Sequence, residues 1–329
     1  MELLISGYGK AGRKNLVKCD ETGKILWYDT IESPSFLCVS GKRMFVVTES
    51  DDYAYLHSYV QNGTGYRRVD SVRCAGNGLC HVCYSEKHHM VFGACWGSGH
   101  LLYASIDEDG RFLKASSLFQ ENETGDGALI SRVHFVHINQ AEDTLMVNNV
   151  GLDIIYFYEI VNGQLREKDR IYTERGQHPR HSIYNHDESL LYVITELSNE
   201  ILVYKMPEKQ LLQRISTLPD GFSGKSHCSA ICLSPDEKMV YGANRYSESL
   251  VFFSADQSGL LKKVLQIPVA GEKPRHMILA KDGRFLIVCY QVSGEVCIIP
   301  LDEKGLPSKE AMQRFSFASA ACAVDCTMG

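Results

Sequence analysis

The sequence predicts an all-β fold: a seven-bladed β-propeller of four-stranded antiparallel blades, closed by the N- and C-terminal strands. Three observations carry the prediction. A unit of roughly 48 residues repeats along the chain, a period that suits four-stranded blades. Each unit contains short apolar runs rich in β-branched and aromatic residues, such as Ile201-Leu202-Val203-Tyr204. Polar turns recur at matched places, Ser234-Pro235-Asp236 in one unit and Lys281-Asp282-Gly283 in another, with the chemistry of hairpin connections.

The units follow in order. Residues 33–50, SPSFLCVSGKRMFVVTES, form a slightly shortened version. Residues 79–106 and 133–160 repeat the full plan of entry, strand, polar turn, strand, small turn and third strand. Residues 178–206, 226–255 and 273–301 align most closely, opening HPRH, SHCS and KPRH. A looser fourth strand, such as QLLQRISTL at 210–218, leads to the next unit. That makes six. The seventh is expected from the C-terminal region about Phe315–Cys326 joined to Glu2–Gly7, a pairing that removes the open edges. With no amphipathic helix and no Pro-, Gly- or Ser-rich linker, residues 1–329 are expected to form one domain.

Composition narrows the function. The chain of 329 residues is 44% hydrophobic and 22% charged, enough for a sizeable core. A net charge of −6 argues against nucleic-acid binding, which needs a concentrated basic surface. The start, MELLISGYGK, has no signal-peptide pattern, and no apolar run approaches the ~20 residues needed to cross a bilayer. A cytoplasmic protein, monomer or homodimer, without membrane or nucleic-acid partners is expected. The twelve cysteines are scattered through strand patterns. Cys80 and Cys83 sit at odd spacing within one strand and face opposite ways, so neither a zinc site nor a disulfide framework is expected.

The repeat also yields a candidate site. The start of a blade's first strand and the end of its second lie on one face near the propeller axis. Positions matching Arg180 at the entry are Cys80, His134, Cys228 and Arg275; positions matching Glu196 at the exit are Trp96, Val150, Arg245 and Gln291, with Glu49 in the shortened unit. Structural repeats favour similar apolar residues, yet here three arginines, a histidine and two carboxylates gather. Solvated channel residues or an ordinary Arg180–Glu196 pair are the competing account. A set of arginines around one cavity nevertheless suits a small anion.

The repeats resemble the propeller lactonases, which include 6-phosphogluconolactonase and the carboxymuconate-lactonizing enzymes, over essentially the whole chain. The residues that carry this are Ser33-Pro34-Ser35-Phe36-Leu37, Cys80-His81-Val82, Val150-Gly151-Leu152-Asp153, Gly176-x-x-Pro179-Arg180-His181 and Thr195-Glu196-Leu197-Ser198-Asn199, with Ser234-Pro235-Asp236, Asn244-Arg245 and Lys273-Pro274-Arg275. The resemblance implies His134, Glu196, Arg180 and Arg245 as the active-site groups. Arg275 and Arg132, with His81, Asn244, Gln291 and Glu49, stand as substrate-binding candidates. The implied activity is metal-independent, cofactor-free hydrolysis of a sugar-acid lactone, 6-phosphogluconolactone first. Muconate cycloisomerisation and a non-catalytic binding propeller are the alternatives. Three positions depart from the family pattern: Arg132 stands where a histidine is common, and Ala230 and Cys232 where an acid and a histidine are common.

Overall fold

In the computed structural model, which describes residues 1–123, 125, 127–269, 271–308 and 311–327, the strands form seven four-stranded sheets, and no helix occurs among those residues. Six sheets are uninterrupted meanders: 37–74, 79–119, 133–172, 179–216, 227–268 and 274–316, called blades 1 to 6 here. Blade 7 places Ala320–Asp325 beside Glu2–Gly7, followed by Leu16–Asp20 and Ile25–Asp29. The Cys326 amide donates to the Glu2 carbonyl at 3.0 Å, and the Glu2 amide donates to Thr327 Oγ1 at 2.9 Å. The seven-blade plan and its terminal pairing therefore stand, with one correction. Phe315 belongs to the fourth strand of blade 6, Gln313–Ser316, and not to the closing strand. A turn that puts Ser319 at φ 53° splits what reads in the sequence as a single strand.

Burial explains why the blades are legible. Second strands such as Leu190–Thr195 and Phe285–Tyr290 are covered on both faces and read as continuous apolar runs. Fourth strands such as Gln210–Ser216 are mostly exposed and carry no such run. The core lies between successive blades: one cluster joins blades 1 and 2 through Phe45, Leu56, Tyr84 and Leu102, and another joins blades 5 and 6 through Tyr241, Phe252, Leu286 and Ile299. Ala230 and Cys232 belong to that second cluster. All twelve cysteines are free and nine are buried; burial holds the Cys83, Cys95 and Cys289 thiols well above their ordinary pKa, so they stay protonated.

Packing divides the chain into two compact units. One comprises Met1–Ile5, Cys19–Ile25 and the chain from Pro179 onward; the other comprises Ser6–Lys18 and Leu26–His178.

Candidate active site

A recurring backbone irregularity positions the candidate residues. In blade 4 the first strand, Pro179–Tyr184, pairs Pro179 with Thr195 and His181 with Ile194, leaving Arg180 as the extra residue of a β-bulge. Bulges re-aim side chains that a regular ladder would point sideways. The same shift singles out Cys80, His134 and Arg275, the entry positions identified from the repeat. Blade 5 corrects the fourth of these. Its shift falls after Cys228, and the turn bonds Asn185–Leu190 and Ser234–Met239 are equivalent, so Arg180 corresponds to Ser229 and Cys228 to Pro179. Both blades carry the bulge; the openings HPRH and SHCS look equivalent in sequence but are one residue out of register, hence the slip by one.

In the unit from Pro179 onward, three predicted residues meet. Glu196, at the exit of blade 4, accepts a hydrogen bond from Arg245 Nη2 at 2.7 Å through Oε1; Arg180 Nε lies 3.6 Å from Oε2. Arg245 Nη2 also donates to the Cys228 carbonyl at 3.0 Å, and Arg180 Nη1 donates to the Ser229 carbonyl. Arg245 Nε is buried and has no hydrogen-bond partner among the described residues. Burial pushes the Glu196 pKa up, but Arg180 and Arg245 outweigh it, and the carboxyl sits below its usual range. At neutral pH the cluster is an ionised carboxylate braced by two guanidiniums.

Sequence reasoning missed His227, whose Nδ1 stands 3.8 Å from Glu196 Oε1. Its cross-strand partner is Arg245, a pairing visible only once the strands are in register. His276 is fully enclosed, and burial together with Arg180 and Arg275 lowers its pKa to about 3. Its Nδ1 accepts from the Ala323 amide, so the ring is a neutral core group. Asn244 turns away from Arg245: its amide donates to the Thr217 carbonyl and Ser249 Oγ, at 2.8 and 3.2 Å, in a fully buried setting. Gln291 is half-buried, and its backbone N–H donates to the Lys273 carbonyl at 3.0 Å.

The other unit holds the remaining candidates. His134 is buried at its bulge, where its carbonyl accepts the Cys80 thiol. Cys80 thus does in blade 2 what one arm of Arg180 does in blade 4: the bulged side chain reaches the bulge carbonyl of the following blade. His81 is packed between Phe36 and Phe135, with ring centroids 3.9 and 4.5 Å away. The Arg132 guanidinium lies 4.0 Å above the exposed Trp96 ring. Its backbone amide is held by Asn149 Oδ1 at 2.9 Å, another residue that sequence reasoning missed. Glu49 accepts a hydrogen bond from Tyr8 at 2.8 Å.

The motif Val150-Gly151-Leu152-Asp153 also acquires a physical role. Asp153, at φ 57°, accepts the amides of Gly176 and His178, each at 2.7 Å. It pins the loop that runs directly into Pro179-Arg180. Equivalent side chains do the same in the next two blades: Asn199 donates to the Ser226 carbonyl at 3.0 Å, and Glu248 accepts the Lys273 amide at 2.8 Å.

Comparison with known proteins agrees with this architecture. Residues 10–324 match the family described as lactonase, 7-bladed β-propeller. Relatives include 6-phosphogluconolactonase of Bacillus subtilis, 28% identical over 70% of this chain and 68% of its own. The 6-phosphogluconolactonase of Formosa agariphila is 28% identical over 83% of both chains. The solved periplasmic gluconolactonase of Pseudomonas aeruginosa superposes with a TM-score of 0.88 at 22% identity, covering 98% of both chains, a likeness of fold. The chain is a member of the seven-bladed β-propeller lactonases.

Proposed function

We propose that this lactonase hydrolyses a small anionic sugar-acid lactone, with 6-phosphogluconolactone the leading substrate. The observation that carries the reading is the Glu196 carboxylate, kept ionised between Arg180 and Arg245. Lactone opening needs a water activated by a base and a stabilised oxyanion. In this scheme His134, assigned by its motif position, takes the proton as water bonds to the lactone carbonyl carbon. The carbonyl electrons move to an oxyanion stabilised by the guanidiniums of Arg180 and Arg245. Collapse re-forms the carbonyl and breaks the bond to the ring oxygen, which receives the proton back from His134 as the sugar acid leaves. Glu196, too weak a base at its lowered pKa, orients the water and holds both arginines in place. Names borne by the Bacillus and Formosa relatives support the choice of a phosphorylated lactone.

The test is turnover of freshly generated 6-phosphogluconolactone by the folded protein and by His134→Ala and Arg180→Ala variants. The expected result is a rate well above spontaneous hydrolysis, reduced at least ~100-fold in each variant, as loss of a proton-transfer or oxyanion group does elsewhere. A folded wild-type protein that does not exceed the spontaneous rate overturns the substrate assignment. Full activity in folded His134→Ala overturns its role.

A further inference from the structure

A second group of residues adjoins Glu196, and the repeat did not single it out. Tyr246 follows Arg245 directly, is 41% exposed and is held at φ 71°, a conformation unusual for a bulky side chain. One carboxylate fixes it there: Glu248 accepts the Tyr246 amide through Oε1 at 3.0 Å and the Lys273 amide through Oε2 at 2.8 Å. Tyr246 and Lys273, from successive blades, are thereby tied to a single anchor. The Tyr246 ring meets His227 edge-on at 5.1 Å, and His227 in turn stands 3.8 Å from Glu196.

Two ammonium groups converge on this ring. Lys225 Nζ lies 4.4 Å and Lys273 Nζ 5.2 Å from its centroid. Neither ammonium pairs with a carboxylate among the described residues, and Glu248 is occupied by the backbone amides of Tyr246 and Lys273. Cation–π attraction at exposed positions is weak, while two like charges drawn to one ring repel each other. Such a pair gains most from a doubly charged anion placed between them, and lysine serves phosphate well as a point charge. One imidazole ring separates this cationic rim from the Glu196–Arg245 pair, a separation suited to a sugar acid whose lactone and phosphate are at opposite ends.

We propose that Lys225 and Lys273, set by Tyr246 and Glu248, form a subsite for the phosphate monoester of the substrate. This rests on the lactonase reading of the Glu196 cluster, and the test separates the two. Calorimetric titration with 6-phosphogluconate and with gluconate measures the preference for the phosphorylated acid in wild-type, Lys225→Gln, Lys273→Gln and double-variant proteins. Turnover of the two corresponding lactones is measured in parallel. Wild-type protein is expected to prefer the phosphorylated acid, with the preference falling about tenfold for each lysine removed, and the kcat/KM ratio between the lactones falling in step through KM.

A wild-type protein with no preference overturns the subsite. So does a double variant that keeps the preference. A fall in melting temperature with the preference intact would show the lysines only packing on Tyr246. Failure of the lactonase reading looks different: neither lactone is turned over, while the binding preference and its loss in the variants are still read directly.

Discussion

Glu196 illustrates how a single buried charge sets the behaviour of its neighbours. Replacing it with glutamine keeps the shape and removes the charge, leaving the guanidiniums of Arg180 and Arg245 without their counter-charge. Breaking a buried pair in this way costs about 3 kcal/mol, so Glu196→Gln is expected to lower stability by that order in urea unfolding. Because its folded-state pKa is depressed, the Glu196 contribution is fully present above the unfolded carboxyl value near 4.3 and is lost as pH falls through its folded value. The variant should therefore lose less stability than wild type on acidification below that point. His276 acts over a different window. Its ring is kept neutral down to about pH 3, whereas the unfolded chain protonates near 6.5. Between those values the unfolded state holds the extra proton, and stability should fall by about 1.4 kcal/mol for each unit by which pH is lowered, from this group alone. His276→Asn removes that slope, which chemical denaturation at a series of pH values measures.

At the level of strands and turns, the residue before the third strand ties the end of the fourth strand in blades 2 to 6. Gly99, Asp153, Asn199, Glu248 and Gly294 all have positive φ, and in each case the carbonyl accepts the amide that follows the fourth strand. Where the residue has a side chain, it also holds the entry of the next blade. Asp153→Ala strips two amides of their acceptor, and a loss of about 1–3 kcal/mol is expected. Asp153→Asn, which keeps one acceptor oxygen, should lose less; comparison of the two melting curves decides.

The blade plan was legible because both-face burial writes continuous apolar runs into the inner strands, and because turns such as Ser234-Pro235-Asp236 recur in phase. The meeting of Arg180, Glu196 and Arg245 followed from the same register. The bulges were not legible, since an extra residue leaves no mark in an apolar pattern, and Cys228 stood in for Ser229 because HPRH and SHCS look equivalent while lying one residue out of register. His227 and Tyr246 escaped because their contacts run across strands and around a turn.

For the molecule as a whole, the pairing of Ala320–Asp325 with Glu2–Gly7 decides whether blade 7 exists as a four-stranded sheet. Deleting residues 320–327 would leave the buried apolar strand Leu3-Leu4-Ile5 with an unsatisfied edge, a template for association. The truncated chain is expected to melt at a clearly lower temperature and to elute as larger species in size-exclusion chromatography. A truncated chain with unchanged melting and elution would mean that the closing strand contributes nothing.

That pairing joins residues 324 positions apart, the Cys326 thiol and amide both meeting the Glu2 carbonyl. A ribosome adding about 5–20 residues per second needs about 15–60 s to make the chain between them. Strand Glu2–Gly7 is thus made long before its partner Ala320–Asp325, and for all of that time its apolar edge is open to chaperones.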